Sequence, residues 1–154
     1  MFLDKNKQTS ALQIYEEGTL LPILSADGLV TSRRYRFILD ELAQASLLPE
    51  DHFELLYTSL IDRFAEFVQL LPRQFNGALG GLLNEGIVRG MTAIVRYNQQ
   101  FGSDSLDALN CYALFSAALL LDVSKAVTNQ QVIITNDQGE YVTQWRPFVG
   151  PMTG

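Results

Sequence analysis

The sequence predicts a mainly α domain that closes with a C-terminal β-hairpin, and three observations carry that expectation. Apolar residues recur every three or four positions over residues 53–71 and 83–95, the spacing of one buried helix face. The stretch CYALFSAALLLDVSKAV, residues 111–127, has Ser116 and Asp122 as its only polar residues between Tyr112 and Val123, and a helix apolar on nearly all sides belongs at the centre of a domain. Finally, QVIIT and EYVTQW flank the turn residues Asn136, Asp137 and Gly139, the signature of two strands joined by a tight turn.

Composition narrows the class further. A chain of 154 residues, 47% hydrophobic, fits one domain that buries about two thirds of its unfolded surface. Its 11 Lys and Arg against 17 Asp and Glu leave a net charge of -6, which repels nucleic-acid phosphate and anionic lipid alike. DNA binding would need a local basic patch, and no membrane role is expected. Cys111 is the only cysteine. It can form no intrachain disulfide, so nothing calls for an oxidising compartment, and at the start of the most apolar helix it reads as packing material. The opening MFLDKNKQTS has no apolar signal core. The expected location is the cytoplasm.

In chain order, residues 1–18 mix charge, Gln and Thr and read as a flexible arm, with a single helical domain over 19–154. The first ordered stretch is 20–23, after which Ser25 can cap a helix with Asp27 in its first turn. The helix continues through Tyr35, Ile38, Leu39 and Leu42, with Thr31 or Ser32 as the cap if Gly28 breaks the first turn. Arg33, Arg34 and Arg36 form the only basic cluster, a solvated helix face or a set of candidate phosphate contacts.

Pro49, followed by Glu50 and Asp51, suits the first turn of the next helix. Phe53, Leu56, Leu60, Phe64, Phe67 and Leu71 form its stripe, Ile61 and Val68 widen it, and Pro72 ends it. His52, the only histidine, stands among acids in the first turn and reads as a surface residue. The loop RQFNGALGG leads into a helix over 82–101 whose face is Leu83, Ile87, Met91, Ile94 and Val95. Gly86 and Gly90 each cost that helix about 1 kcal/mol relative to Ala, and their spacing of four implies another helix packed closely. Gly102 stops it, and Ser103 or Ser105 is placed to cap the central helix. The central helix, about five turns long, is expected between the 49–71 and 82–101 helices. It falls short of the about 20 apolar residues that span a bilayer. The tail RPFVGPMTG is turn-rich.

Most motifs that would name an enzyme are missing. The chain has no CxxC, HExxH or GK[ST], and one histidine excludes a multi-histidine metal site. No cofactor is indicated. Gly80 and Gly81 before a helix can present amides to an anion, or can make a tight loop with close backbone packing. Asp122 and Lys125 lie three apart on one helix face, as an ion pair at a helix end or as the remnant of a site.

Four motifs in order, FELLYTSLIDRFAEFVQLLP, GGLL at 80–83, ALLLDVSKAVTNQQV and QWRPFVGPM, together resemble the N-terminal domain of MobH-class relaxases, the TraI-like proteins of integrating conjugative elements. The resemblance covers about residues 20–152 and implies an HD-like helical fold. In that family a histidine-rich segment follows the Leu-Pro, GGLL runs into an arginine and a histidine, and the central helix carries ALLHDIGK. Here the loop after Leu71-Pro72 holds no histidine, Glu85 stands where the histidine after GGLL is expected, and the HD pair reads Leu121-Asp122. Asp122 and Lys125 match the family pattern.

An HD site holds divalent metal through imidazole and carboxylate so that a bound water attacks a phosphodiester, and leucine at that place should abolish it. The resemblance therefore implies a vestigial site at Glu85, Leu121, Asp122 and Lys125, without metal. It implies a degenerate, non-catalytic relative that serves as a structural or interaction module in DNA mobilisation or secretion, with protein partners from such an apparatus. The alternative is an active relaxase or metal-dependent phosphodiesterase with an unusual site built on Glu85 and Asp122. Family members continue past WRPFVGPM with further helices and a remote domain, so the chain reads as a piece of a longer protein or as a short relative.

Overall fold

The computed structural model describes residues 19–73, 77–102, 106–128 and 131–152, apart from the side chains of Arg34 and Val127. The expected arm at 1–18 and the expected caps Ser103 and Ser105 lie outside the described residues. In order come α1 (Ala26–Val30), α2 (Arg33–Ser46), α3 (Glu50–Phe53), a π-helical turn (Glu54–Thr58), α4 (Ser59–Val68), α5 (Gly81–Phe101), α6 (Ala108–Leu120) and α7 (Ser124–Thr128). They are followed by β1 (Ile133–Thr135), β2 (Tyr141–Gln144) and a 3-10 turn (Pro147–Val149). The fold is mainly helical with a two-stranded antiparallel hairpin.

Local chemistry explains most boundaries. Ser32 Oγ accepts from Tyr35 N at 3.3 Å and caps α2, whereas Ser25, at the start of α1, makes no capping bond. Glu66 Oε1 supplies the acceptor instead, taking Ala26 N at 3.2 Å. Beside it the buried Gln69 accepts from Leu24 N at 3.0 Å and donates to Leu24 O at 2.7 Å. Its amide pairs with the 20–25 segment as a neighbouring strand would. Gln69 itself adopts φ 46 and ends α4 at Val68, ahead of the expected stop at Pro72.

The expected stripe over 53–71 needs correction. Its buried residues are Phe53, Tyr57, Ile61, Phe64, Ala65, Val68 and Leu71, while Leu56 is exposed. A π-helical turn lies at this point, and Tyr57 within it points inward. Tyr57 stacks on Phe53 at 5.0 Å and meets Tyr112 edge-on at 5.2 Å.

The paired glycines of α5 do admit close neighbours. A Cβ on Gly90 would lie 2.5 Å from Phe115 Cε2, and one on Gly86 would lie 2.9 Å from Phe64 Cε1 and 3.2 Å from Leu119 O. Helix α6 therefore seats directly on α5. It is not enclosed, however. Cys111, Phe115 and Leu119 are its buried residues, at one stripe of i, i+4 spacing, and among the described residues nothing covers Leu109, Ala113, Ala117 and Leu121. Nor does it run through to residue 127, since a turn at 121–123 separates α6 from α7. Asp122 lies in that turn, with Arg73, Arg89 and Lys125 as its cationic partners. Asp107, not a serine, caps α6 by accepting from Asn110 N at 2.8 Å. By length and composition alone Ala108–Ala126 is apolar enough to cross a membrane.

In the hairpin, Asn136 Oδ1 accepts from both Gln138 N and Glu140 N, closing the turn where Gly139 takes φ 82. Trp145 then buries its ring edge-on to Phe67 at 5.4 Å and donates Nε1–H to Gly150 O at 2.9 Å. Trp145 and Met152 thereby join the segment after β2 to the core.

Candidate functional site

The junction between the start of α5 and the end of α6 gathers Glu85, Asp122 and Lys125 with two arginines. Its position is set by the Gly80-Gly81 loop. Gly80 has φ 72, and its N–H donates to Leu70 O at 2.8 Å; Gly81 N donates to Ala78 O at 3.1 Å and Leu82 N to Leu71 O at 3.2 Å. All three amides are spent on the protein's own backbone, so the loop is the tight packing element and not an anion cradle. A Cβ on Gly81 would fall 3.0 Å from Arg73 N, which means that glycine there lets Arg73 lie against α5.

From that anchor the Arg73 side chain spans two carboxylates. Its Nη1 is 2.5 Å from Glu85 Oε2, and its Nε is 3.2 Å from Asp122 Oδ2. Arg89, one turn beyond Glu85 on α5, places Nη2 at 2.6 Å from the same Asp122 oxygen and donates Nη1–H to Ala118 O at 3.4 Å. Lys125 completes the group with Nζ at 3.0 Å from Asp122 Oδ1. Partial burial by itself would raise the Asp122 pKa, but the Lys125 hydrogen bond and the charges of Arg89, Lys125 and Arg73 outweigh it. The carboxyl is held below its ordinary range and stays ionised at neutral pH.

Of the expected site residues, then, Glu85, Asp122 and Lys125 come together, and Leu121 faces solvent at 68% exposure. The Arg73 and Arg89 guanidinium groups fill the space beside Asp122. Arg73 and Arg89 escaped the sequence reading. Arg89 was findable, four residues after Glu85 and so on its helix face. Arg73 sits in a loop, where no periodicity points.

The remaining expectations separate from this cluster. Arg33 and Arg36 are exposed on the first turn of α2, and Arg36 Nη2 donates to Thr31 O at 3.2 Å. The Arg34 side chain lies outside the described residues. His52 is exposed, as expected. Cys111 is buried and donates to Ala45 O at 3.5 Å. Burial pushes its thiol pKa up by more than the Tyr57 hydroxyl lowers it, so it lacks the thiolate character of a nucleophile. Among the described residues, no group of three or more His, Cys, Asp or Glu is placed to hold a metal ion. A groove of about 790 Å³ runs between residues 19–23, 69–72 and β1, and among the described residues that line it Asp137 is the ionisable one. That lining offers no acid–base pair.

The fold and cluster define a mainly helical domain whose α5–α6 junction is braced by three cations on two carboxylates. Residues 19–154 match the model of the TraI_2 family, described as "Putative helicase", and the chain belongs to that family. It is a conjugation-related, relaxase-like domain family. No curated protein matches the chain.

Proposed function

We propose that this protein is a catalytically degenerate relative of a conjugative relaxase domain, acting in the cytoplasm as a structural or protein-interaction module in DNA mobilisation or secretion. The observation that carries the reading is the double engagement of Arg73 with Glu85 and Asp122. These are the two carboxylates on which an unusual metal site would have to be built, and both are neutralised internally. A cation entering there would have to displace Arg73, Arg89 and Lys125 from Asp122, against their charge. Glu85, Leu121, Asp122 and Lys125 are in this reading the remains of an HD-type site whose histidines have gone.

Exposed apolar side chains support the interaction role. Phe148 and Val149, on the 3-10 turn, are 91% and 84% exposed, and protein partners of a conjugation or secretion apparatus would cover such positions. The net charge of -6 disfavours DNA as the partner.

The test is metal content and phosphodiester hydrolysis of the wild type beside Asp122→Ala. Neither protein should retain a stoichiometric metal or hydrolyse the substrate. Hydrolysis by the wild type that disappears in Asp122→Ala without loss of folding would establish the active alternative.

A further inference from the structure

Helix α6 buries Cys111, Phe115 and Leu119 and leaves its other side uncovered by described residues. On that side Leu109, Ala113, Ala117 and Leu121 are all exposed, Leu109 by 75% and Leu121 by 68%. The backbone is still helical at Leu121, with φ -51 and ψ -39, so the four side chains form one ridge of i, i+4 spacing. Such ridges interdigitate in the commonest class of helix packing. No charge interrupts this one.

We propose that the ridge is the interface of a two-fold, antiparallel homodimer of this chain. The order Leu, Ala, Ala, Leu at 109, 113, 117 and 121 is palindromic about Phe115. In an isologous antiparallel contact residue i meets j while j meets i, so this order sets side chains of equal size opposite each other. Antiparallel pairing sets Leu109 of one copy toward Leu121 of the other and Ala113 toward Ala117. The alanines at the crossing let the axes approach to about 8 Å.

Charge selects the same arrangement. Exposed Asp107 caps the N-terminal end of α6, while Arg73, Arg89 and Lys125 outnumber Glu85 and Asp122 at the C-terminal end. Antiparallel copies bring each acidic end to the other's cationic end, whereas parallel copies would set like on like. A lipid surface fits less well. Membrane entry of α6 would have to withdraw Phe115 from Gly90 and break the Asp122 ion pairs. One helical ridge covers well below the about 800 Å² per partner of a stable dimer, so the association is weak and concentration-dependent. It does not depend on whether the Asp122 cluster was once catalytic.

Sedimentation equilibrium of the full chain between roughly 10 µM and 1 mM should show a monomer–dimer equilibrium. Ala117→Glu should weaken it at least about tenfold while leaving the helical circular dichroism and Tm unchanged, since residue 117 is exposed. Ala113→Cys mixed with Ala117→Cys should form disulfide-linked dimers faster than either variant alone. A monomer throughout that range, or a dimer that Ala117→Glu leaves intact, overturns the proposal, as does preferential linking of like variants. Flotation of a monomeric wild type with phosphatidylcholine vesicles, abolished by Ala117→Glu, would overturn it in favour of a lipid surface.

Discussion

The Phe115 ring occupies the space that a side chain at Gly90 would need, with Cε2 and Cδ2 2.5 and 2.6 Å from an ideal Cβ. The fit sets how closely α6 approaches α5. Gly90→Ala should therefore destabilise the fold by about 1–3 kcal/mol through overpacking, despite the about 1 kcal/mol gain in helix propensity. Gly28→Ala is the contrast, since its nearest foreign atom would be 3.5 Å away. It should be neutral or stabilising by up to about 1 kcal/mol in chemical denaturation. Equal effects at the two positions would refute the close approach.

Adjacent leucines in α6 should behave differently. Leu119 is fully buried and Leu120 is 38% exposed, so Leu119→Ala should cost about 2–5 kcal/mol and Leu120→Ala less than about 1 kcal/mol. The same denaturation experiment separates them. Similar losses would mean that α6 is enclosed after all.

The Asp122 cluster makes stability depend on pH with a definite sign. Its folded pKa lies below the unfolded value, which is about 3.9, so its contribution is complete above that pH and is lost as pH falls through the folded value. Asp122→Asn should cost about 1–2 kcal/mol at pH 7, a figure kept small because the cationic partners are partly exposed. The gap between wild type and variant should close below about pH 4. A gap independent of pH would assign the loss to packing.

DNA affinity should be weak and nearly insensitive to salt. A net charge of -6 leaves little beyond Arg33, Arg34 and Arg36 to meet phosphates, and Arg36 already donates to Thr31 O. Fluorescence anisotropy against salt concentration checks this, because a steep negative slope would count several phosphate contacts. Should one appear, Arg33→Glu with Arg34→Glu ought to flatten it.

Tyr57→Phe probes the π-helical turn. The buried Tyr57 hydroxyl lies beside Cys111 without a well-formed hydrogen bond, and burial pushes its pKa up. Removing the oxygen should change stability by less than about 1 kcal/mol, because no satisfied bond is lost. Tyr57→Ala should cost about 3–5 kcal/mol through the cavity it leaves.

The amino-acid sequence by itself determined the local features. Periodicity and caps marked α5 almost to its ends, the hairpin followed from its turn residues, and Gly86 and Gly90 announced a close helix, because all of these depend on chemistry within a few residues. Spacing singled out Asp122 and Lys125, and the resemblance added Glu85. Only the tertiary structure decided what they touch. Arg73 meets Asp122 across 49 residues of chain, and Gln69 meets Leu24 across 45, distances over which no sequence period operates. Spacing alone allowed two faces on the 53–71 segment, one through Leu56 and Leu60 and one through Tyr57 and Ile61, and packing of Tyr57 against Phe53, Tyr112 and Phe115 selects the second. The apolar composition of α6 pointed to the centre of the fold, yet among the described residues the stripe of Cys111, Phe115 and Leu119 is what is buried, because burial depends on which neighbours the fold brings to a helix face and not on the count of leucines.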